Sequence, residues 1–377
     1  MATAQSAFAF DDLPPPAGRA RAQPLRRSVA RAEAPAMPPG DEPDPAFLLG
    51  WDHARHGLVP PVDCLQGGHA VEQGWLAGRA AFGRRTLRGG RHVQRWLALR
   101  LAAWAQGEAF EDLLVTPNFL AQIDAARCPV TRQRLAGDAD ACPDDVQGMP
   151  VRLNQRAGHA AGNLAVVSAA VRHAAQGLRW DEARLNGVLA EARARDGLAV
   201  PAGLGASEWA RLSTLMSFAT PLPHEVAAAL PLRALPPNRV RLINPIQGLQ
   251  ALVTLQLTHE GFAVRVARLA SLLPGLALRR DFQLFFHTLL PRAWAGGRPA
   301  SPAVMRDRLE DAWAHPDVLR RWQRLASQLD AEQADAIVQR AVAQGLAAGL
   351  PGATRSQWHP AVQATDGWAL ASAGRAH

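Results

Sequence analysis

Two short aliphatic runs, Val151-Arg152-Leu153 and Leu164-Ala165-Val166-Val167, are where this chain reads as β-strand. Between them, Gly158 and Gly162 permit backbone angles that other residues avoid. Asn163 can bond its own neighbouring backbone and close the loop. Ser168 reads as the N-cap of a helix over 169–176 that stops at Gly177. The unit is therefore strand, glycine loop, strand, helix. Elsewhere helical periodicity and proline breaks dominate. The expected fold class is mainly α, a multi-helix protein with one small ββα unit near residues 128–177.

The chain divides by composition. Residues 1–44 are rich in Ala, Pro and Arg, and such a segment buries too little apolar surface to offset its ordering entropy. A disordered arm is expected there. Residues 45–127 form a basic helical region. Val71, Trp75, Leu76 and Ala80 recur at helical spacing over 69–83, and Val93, Trp96, Leu97, Leu101 and Trp104 do so over 91–106. A further helix is expected over 108–127, interrupted at Thr116-Pro117, a cap with proline at the first helical position. Residues 178–348 form a helical C-terminal domain. Its first helix, 180–196, places Leu185, Val188, Leu189 and Ala192 on one apolar face. Residues 349–377 read as a loose tail. There is no repeat period, no phosphate-binding glycine loop with lysine and no Gly-x-Ser-x-Gly elbow.

The formal net charge is +8, and every cation is arginine. Arg79, Arg84, Arg85, Arg88, Arg91, Arg95 and Arg100 lie in a stretch with no acid between Glu72 and Glu108. Several guanidiniums on one surface neutralise phosphates and release counterions, so DNA is the expected partner; a solvated helix face is the bland alternative. Arg84, Arg85, Arg88, Arg91, Arg95 and Arg152 are the candidate nucleic-acid contacts. Three scattered cysteines, Cys64, Cys128 and Cys142, fit a reduced, cytoplasmic setting. No apolar run is long enough for a membrane span. His53, His56, Cys64 and His69 offer zinc-type ligands at a non-standard spacing.

Cys128-Pro129-Val130, followed by Arg152-Leu153-Asn154 and then by Gly158, Gly162-Asn163-Leu164, Val166, Val167 and Ser168, resembles the HNH (ββα-metal) endonuclease superfamily, in its phage-type members. The resemblance covers about fifty residues. It implies a ββα finger that acts on nucleic acid and, where catalytic, one Mg²⁺ or Mn²⁺ ion that activates water against a phosphodiester. Carried onto this chain, it points to His159, Asn163 and His173 as catalytic candidates. Asp144 and Asp145 would be the metal-ligating acids if their loop folds back. The family's acid before the arginine is Val151 here, its loop tyrosine is His159, and its helix asparagine falls at Arg172. Valine neither ligates a hard cation nor accepts a proton. The expectation is therefore a nucleic-acid-associated protein whose finger is kept for shape or binding, with metal-dependent endonuclease activity as its catalytic form. The alternative is a non-catalytic helical interaction or scaffold protein.

Overall fold

The computed structural model describes residues 44–136, 147–297, 299 and 301–347. The protein is mainly α-helical, with one two-stranded antiparallel sheet among the described residues, as its sequence leads one to expect.

Helix α1 (Pro45–Arg55) starts where Asp44 accepts a hydrogen bond from the Ala46 N–H at 2.9 Å, with proline in the first turn. It crosses α2 (Ala70–Phe82) at backbone contact. A Cβ on Gly50 would stand 1.9 Å from the Val71 carbonyl oxygen, and one on Gly74 would stand 1.9 Å from that of Phe47. Neither position admits a side chain. The buried residues of α2 are accordingly Val71, Gly74, Gly78 and Phe82. The spacing of Trp75, Leu76 and Ala80 points to another face, and Leu76 is 52% exposed. In α3 (Arg91–Ala105), Leu97, Arg100 and Ala103 are the buried positions.

Helix α4 (Pro117–Ile123) begins at the expected cap, Thr116 Oγ1 accepting from the Phe119 N–H at 3.2 Å. Residues 108–116 are not helical, because they are held by the loop of the ββα unit. The Glu111 N–H donates to the His159 carbonyl at 3.1 Å, and the His159 N–H donates to that of Ala109 at 2.8 Å. Strand β1 (Met149–Arg152) pairs with β2 (Leu164–Val167), Met149 opposite Val167 and Arg152 opposite Leu164. Helix α5 (Ala169–Ala175) follows. Ser168 stands at its N-cap, but its hydroxyl makes no capping bond. Its N–H donates instead to Cys128 Sγ at 3.4 Å, which ties the Cys128-Pro129-Val130 turn to the strand–helix junction.

Helices α6 (Trp180–Arg195) and α7 (Ala206–Phe218) pack closely through small residues. Ala183, Gly187 and Ala190 are the buried positions of α6. Leu185 and Val188, expected inward, are 67% and 63% exposed. The remaining helices are α8 (His224–Ala229), α9 (Pro245–Gln256), α10 (Phe262–Leu272), α11 (Leu276–Ala293), α12 (Pro302–Ala312), α13 (Pro316–Ala326) and α14 (Ala331–Ala343). Every residue of α9 from Ile246 to Gln256 is buried, so this helix is enclosed rather than amphipathic. Phe285 of α11 sits 5.3 Å from Trp313 and 5.5 Å from Trp322, ring centre to ring centre. Each indole finds a polar partner: Trp313 donates to Thr254 Oγ1 and Trp322 to the Ala228 carbonyl, both at 3.1 Å. The apolar core that results takes in residues from Val115 to Ala347, and the ββα unit is part of it.

Candidate nucleic-acid interface and the ββα unit

The loop between β1 and β2 is closed by one side chain. Asn163 is fully buried, and its Oδ1 accepts from the Asn154 N–H at 2.8 Å. Its Nδ2 donates to the carbonyls of Asn154 at 3.0 Å and Gly158 at 2.9 Å. Gly162 makes the accompanying turn at φ +92°, where its missing Cβ also leaves room for Arg241. Asn154 in turn donates to the Ala219 carbonyl at 3.0 Å, which fastens the loop to the end of α7.

His159 lies in the same loop, stacked on Phe110 with centroids 6.0 Å apart. Its Nδ1 stands 3.7 Å from a Glu108 carboxylate oxygen. Arg152 donates to Glu108 as well, and to the Ala157 carbonyl at 3.2 Å. Burial, with the Arg152 guanidinium beside it, holds the His159 imidazole down to about 4 against an ordinary 6.5. The folded state therefore favours the neutral ring. The unfolded chain takes up a proton as pH falls through 6.5, whereas the folded chain does so only near 4. This stabilisation is fully present above pH 6.5 and is lost on acidification toward pH 4, at most about 3 kcal/mol. Urea midpoints measured across that window should fall with pH, and His159→Phe should flatten the slope. An equal slope in the variant would assign the loss to other groups.

The three catalytic candidates do not converge. Asn163 has its amide fully engaged with backbone, His159 is buried against Phe110 and Glu108, and His173 is exposed on α5. At the family's acid position Val151 is buried and apolar. Asp144 and Asp145 lie outside the described residues. Among the described residues no group of three or more His, Cys, Asp or Glu side chains is placed to hold a metal ion. The described donors thus do not fit a divalent cation. The same holds for the zinc set: His53 is buried with Nδ1 bonded to the Leu49 carbonyl at 2.8 Å, while His69 is exposed.

The arginines separate into two kinds. Asp124 draws together Arg91, His92 and Arg95, the last at 3.2 Å. Arg100 is buried between Asp52 at 2.6 Å and Asp112 at 2.8 Å, over the Trp96 ring. Arg152 is taken up by Glu108. By contrast, Arg84, Arg85 and Arg88 are exposed in the connection between α2 and α3, and their side chains have no ion pair among the described residues. Arg55 is exposed next to them, its carbonyl accepting from the Leu87 N–H at 2.8 Å. Arg79 lies over the Trp75 ring at 4.8 Å.

Glu108 and Glu111 are not among the expected site residues, although they organise the loop. Glu111 is buried and accepts from the Ala161 N–H at 2.7 Å. The signal for them is present: they are the first acids after the long basic stretch. A second anchor joins the motif's opening turn to α12. Arg127 meets Asp307 at 3.0 Å, and Arg132 meets Glu310 at 3.1 Å and Asp311 at 2.8 Å. Comparison with protein-family models, curated proteins and solved structures gave no match.

Proposed function

We propose that this protein binds the phosphate backbone of DNA without cutting it, and that the ββα unit serves as a frame. The observation that carries this reading is the exposed set Arg84, Arg85 and Arg88, unpaired among the described residues, in a region whose other arginines are largely taken up by acids. Guanidiniums that already stand in solvent have little desolvation to overcome before they meet phosphate, and each contact releases counterions. The ββα unit supports the frame reading through its own bonding. An asparagine that spends its amide on three backbone groups is holding a loop, and an arginine bonded to Glu108 is holding a strand end.

Fluorescence anisotropy with a duplex DNA probe over a salt series tests the surface. Changing Arg84, Arg85 and Arg88 together to alanine should weaken binding at low salt by about tenfold or more, and should lower the slope of log K against log salt by about 3. Unchanged affinity and slope would remove the reading. Supercoiled plasmid incubated with Mg²⁺ or Mn²⁺ tests the other half. It should stay intact, and nicking abolished by a chelator would restore a cutting centre.

A further inference from the structure

Away from the arginine surface, a cleft of about 580 Å³ opens between α6, α7, α13 and the segment 229–233. That volume lies within the range of sites for small organic molecules. Val188, Ala210, Leu230 and Leu319 make its walls apolar, while Arg184 and Arg233 bring two cations. The one acid among its described lining residues, Glu191, is already bonded to Arg195 at 2.5 Å.

Arg233 is the unusual member. Its side chain has no hydrogen bond and no ion pair among the described residues, and its Nε is buried without a partner. Other desolvated arginines of this chain are compensated: Arg100 by Asp52 and Asp112, Arg132 by the α12 acids, and Arg211 by the Val130 carbonyl at 2.6 Å. Burial lowers the Arg233 pKa, and the acids that oppose this, Asp311 and Glu310, are themselves bonded to Arg132. A guanidinium taken partly out of water, bonded to no acid among the described residues and sharing its opposing acids with Arg132, is costly, and a bound anion is what relieves that cost. The segment that carries Arg233 is fixed in advance. Gln323 donates to the Ala229 carbonyl at 3.0 Å, and Gln250 to that of Leu230 at 2.9 Å. The Ser213 and Thr214 hydroxyls lining the cleft spend their protons on the Trp180 and Ala210 carbonyls, each at 2.8 Å, so the charge that recognises an anion comes from the arginines, with the exposed Ser207 hydroxyl as a neutral donor beside them.

We infer that this cleft binds a small amphipathic anion. Its carboxylate or phosphate head pairs with Arg233, Arg184 supplies a second cation from α6, and its apolar body lies against Val188, Leu230 and Leu319. Affinity comes from the meeting of both parts, since the head neutralises a charge that is already held in place and the body displaces water from the walls.

Isothermal titration of the full chain with decanoate, decyl phosphate, decanol and inorganic phosphate tests the proposal. At least one of the two amphipathic anions should bind at one site per chain. Decanol and inorganic phosphate should bind at least about tenfold more weakly, and a difference between the two anions identifies the head group. Arg233→Met should weaken the anion by about tenfold or more and leave decanol unchanged. It should also raise Tm in the absence of ligand, which doubles as the check that the variant folds. Arg184→Ala, on an exposed stretch of α6, should weaken the anion severalfold. Decanol binding as tightly as decanoate, uptake unaffected by Arg233→Met, or no binding of either anion would each overturn the inference.

Discussion

Asn163→Ala is expected to lower the unfolding free energy by about 4 kcal/mol, read from urea midpoints, because a fully buried amide is removed from three backbone groups. The Asn154 N–H loses its acceptor outright. The Asn154 and Gly158 carbonyls keep weaker alternatives, since they also accept from the N–H groups of Ala157 at 3.2 Å and Ala160 at 2.9 Å. Asn163→Asp is the sharper variant. A carboxylate keeps an acceptor for the Asn154 N–H but faces two carbonyls that it cannot donate to, so it should destabilise about as much as alanine. A residue kept as a metal ligand would behave otherwise, because aspartate is a good ligand for a hard cation. If the Asn163→Asp variant proved as stable as the parent, or were stabilised by Mg²⁺, Asn163 would not be chiefly a loop clamp.

Much of this architecture is legible in the sequence, and what is not has a common cause. Caps and breaks mark helix ends through local chemistry. Thr116-Pro117, Ser301-Pro302 and Asp330 each begin a helix, and their side-chain oxygens accept from the third residue on, at 3.2, 3.3 and 2.8 Å. The second strand likewise coincides with its aliphatic run, whereas the first starts two residues ahead of Val151, at Met149, and ends at Arg152. The buried faces of α2 and α6 are different. Spacing weighs large apolar side chains most, whereas these two helices approach their neighbours through small residues: a side chain at Gly74 or Gly78 would keep the backbones apart, and one at Gly187 would press on Trp209. Hydrophobicity then appears outside, as at Leu76, Leu185 and Val188, and the inward stripe is written in small residues.

The same distinction between local and remote information applies to charge. The absence of acids between Glu72 and Glu108 suggests seven uncompensated arginines. Asp52, Asp112 and Asp124 lie outside that window yet reach Arg91, Arg95 and Arg100 through the packing of α1, α3 and α4. Only the arginines around the α2–α3 connection, which no acid-bearing element covers among the described residues, keep the exposure that the sequence suggests for all of them. In the ββα unit the outline is readable, but the bonding of His159, Arg152 and Asn163 is not. It depends on Glu108 and on backbone groups that only the folded loop brings together.

Glu310→Ala should be as damaging as the loss of Asn163, about 3 to 5 kcal/mol, although it lies far from that loop in sequence. The Glu310 carboxylate is 3% exposed and serves three partners. Oε1 accepts from the Leu235 N–H at 2.8 Å and faces Arg306 Nε at 3.5 Å, while Oε2 accepts from Arg132 at 3.1 Å. Its removal leaves the buried Leu235 N–H without its acceptor and takes a buried counter-charge away from Arg306 and Arg132, which keep only the Leu235 and Pro236 carbonyls and the more exposed Asp307 and Asp311. Arg132 holds φ at +61°, a left-handed conformation that a side chain adopts only when the surroundings demand it, and its contacts to α12 supply that demand. Glu310→Gln keeps an acceptor for Leu235 and should cost about half as much. Asp311→Ala removes a carboxylate that is 57% exposed and should cost less than about 1 kcal/mol. Because Arg132 and Glu310 act as one unit, Glu310→Ala combined with Arg132→Met should destabilise by about 1 to 2 kcal/mol less than the two separate losses added together. Strict additivity in that double-mutant cycle would mean that the turn opening the ββα unit is held to α12 by packing and by the Asp307 and Asp311 pairs, and that the buried carboxylate is not what couples them.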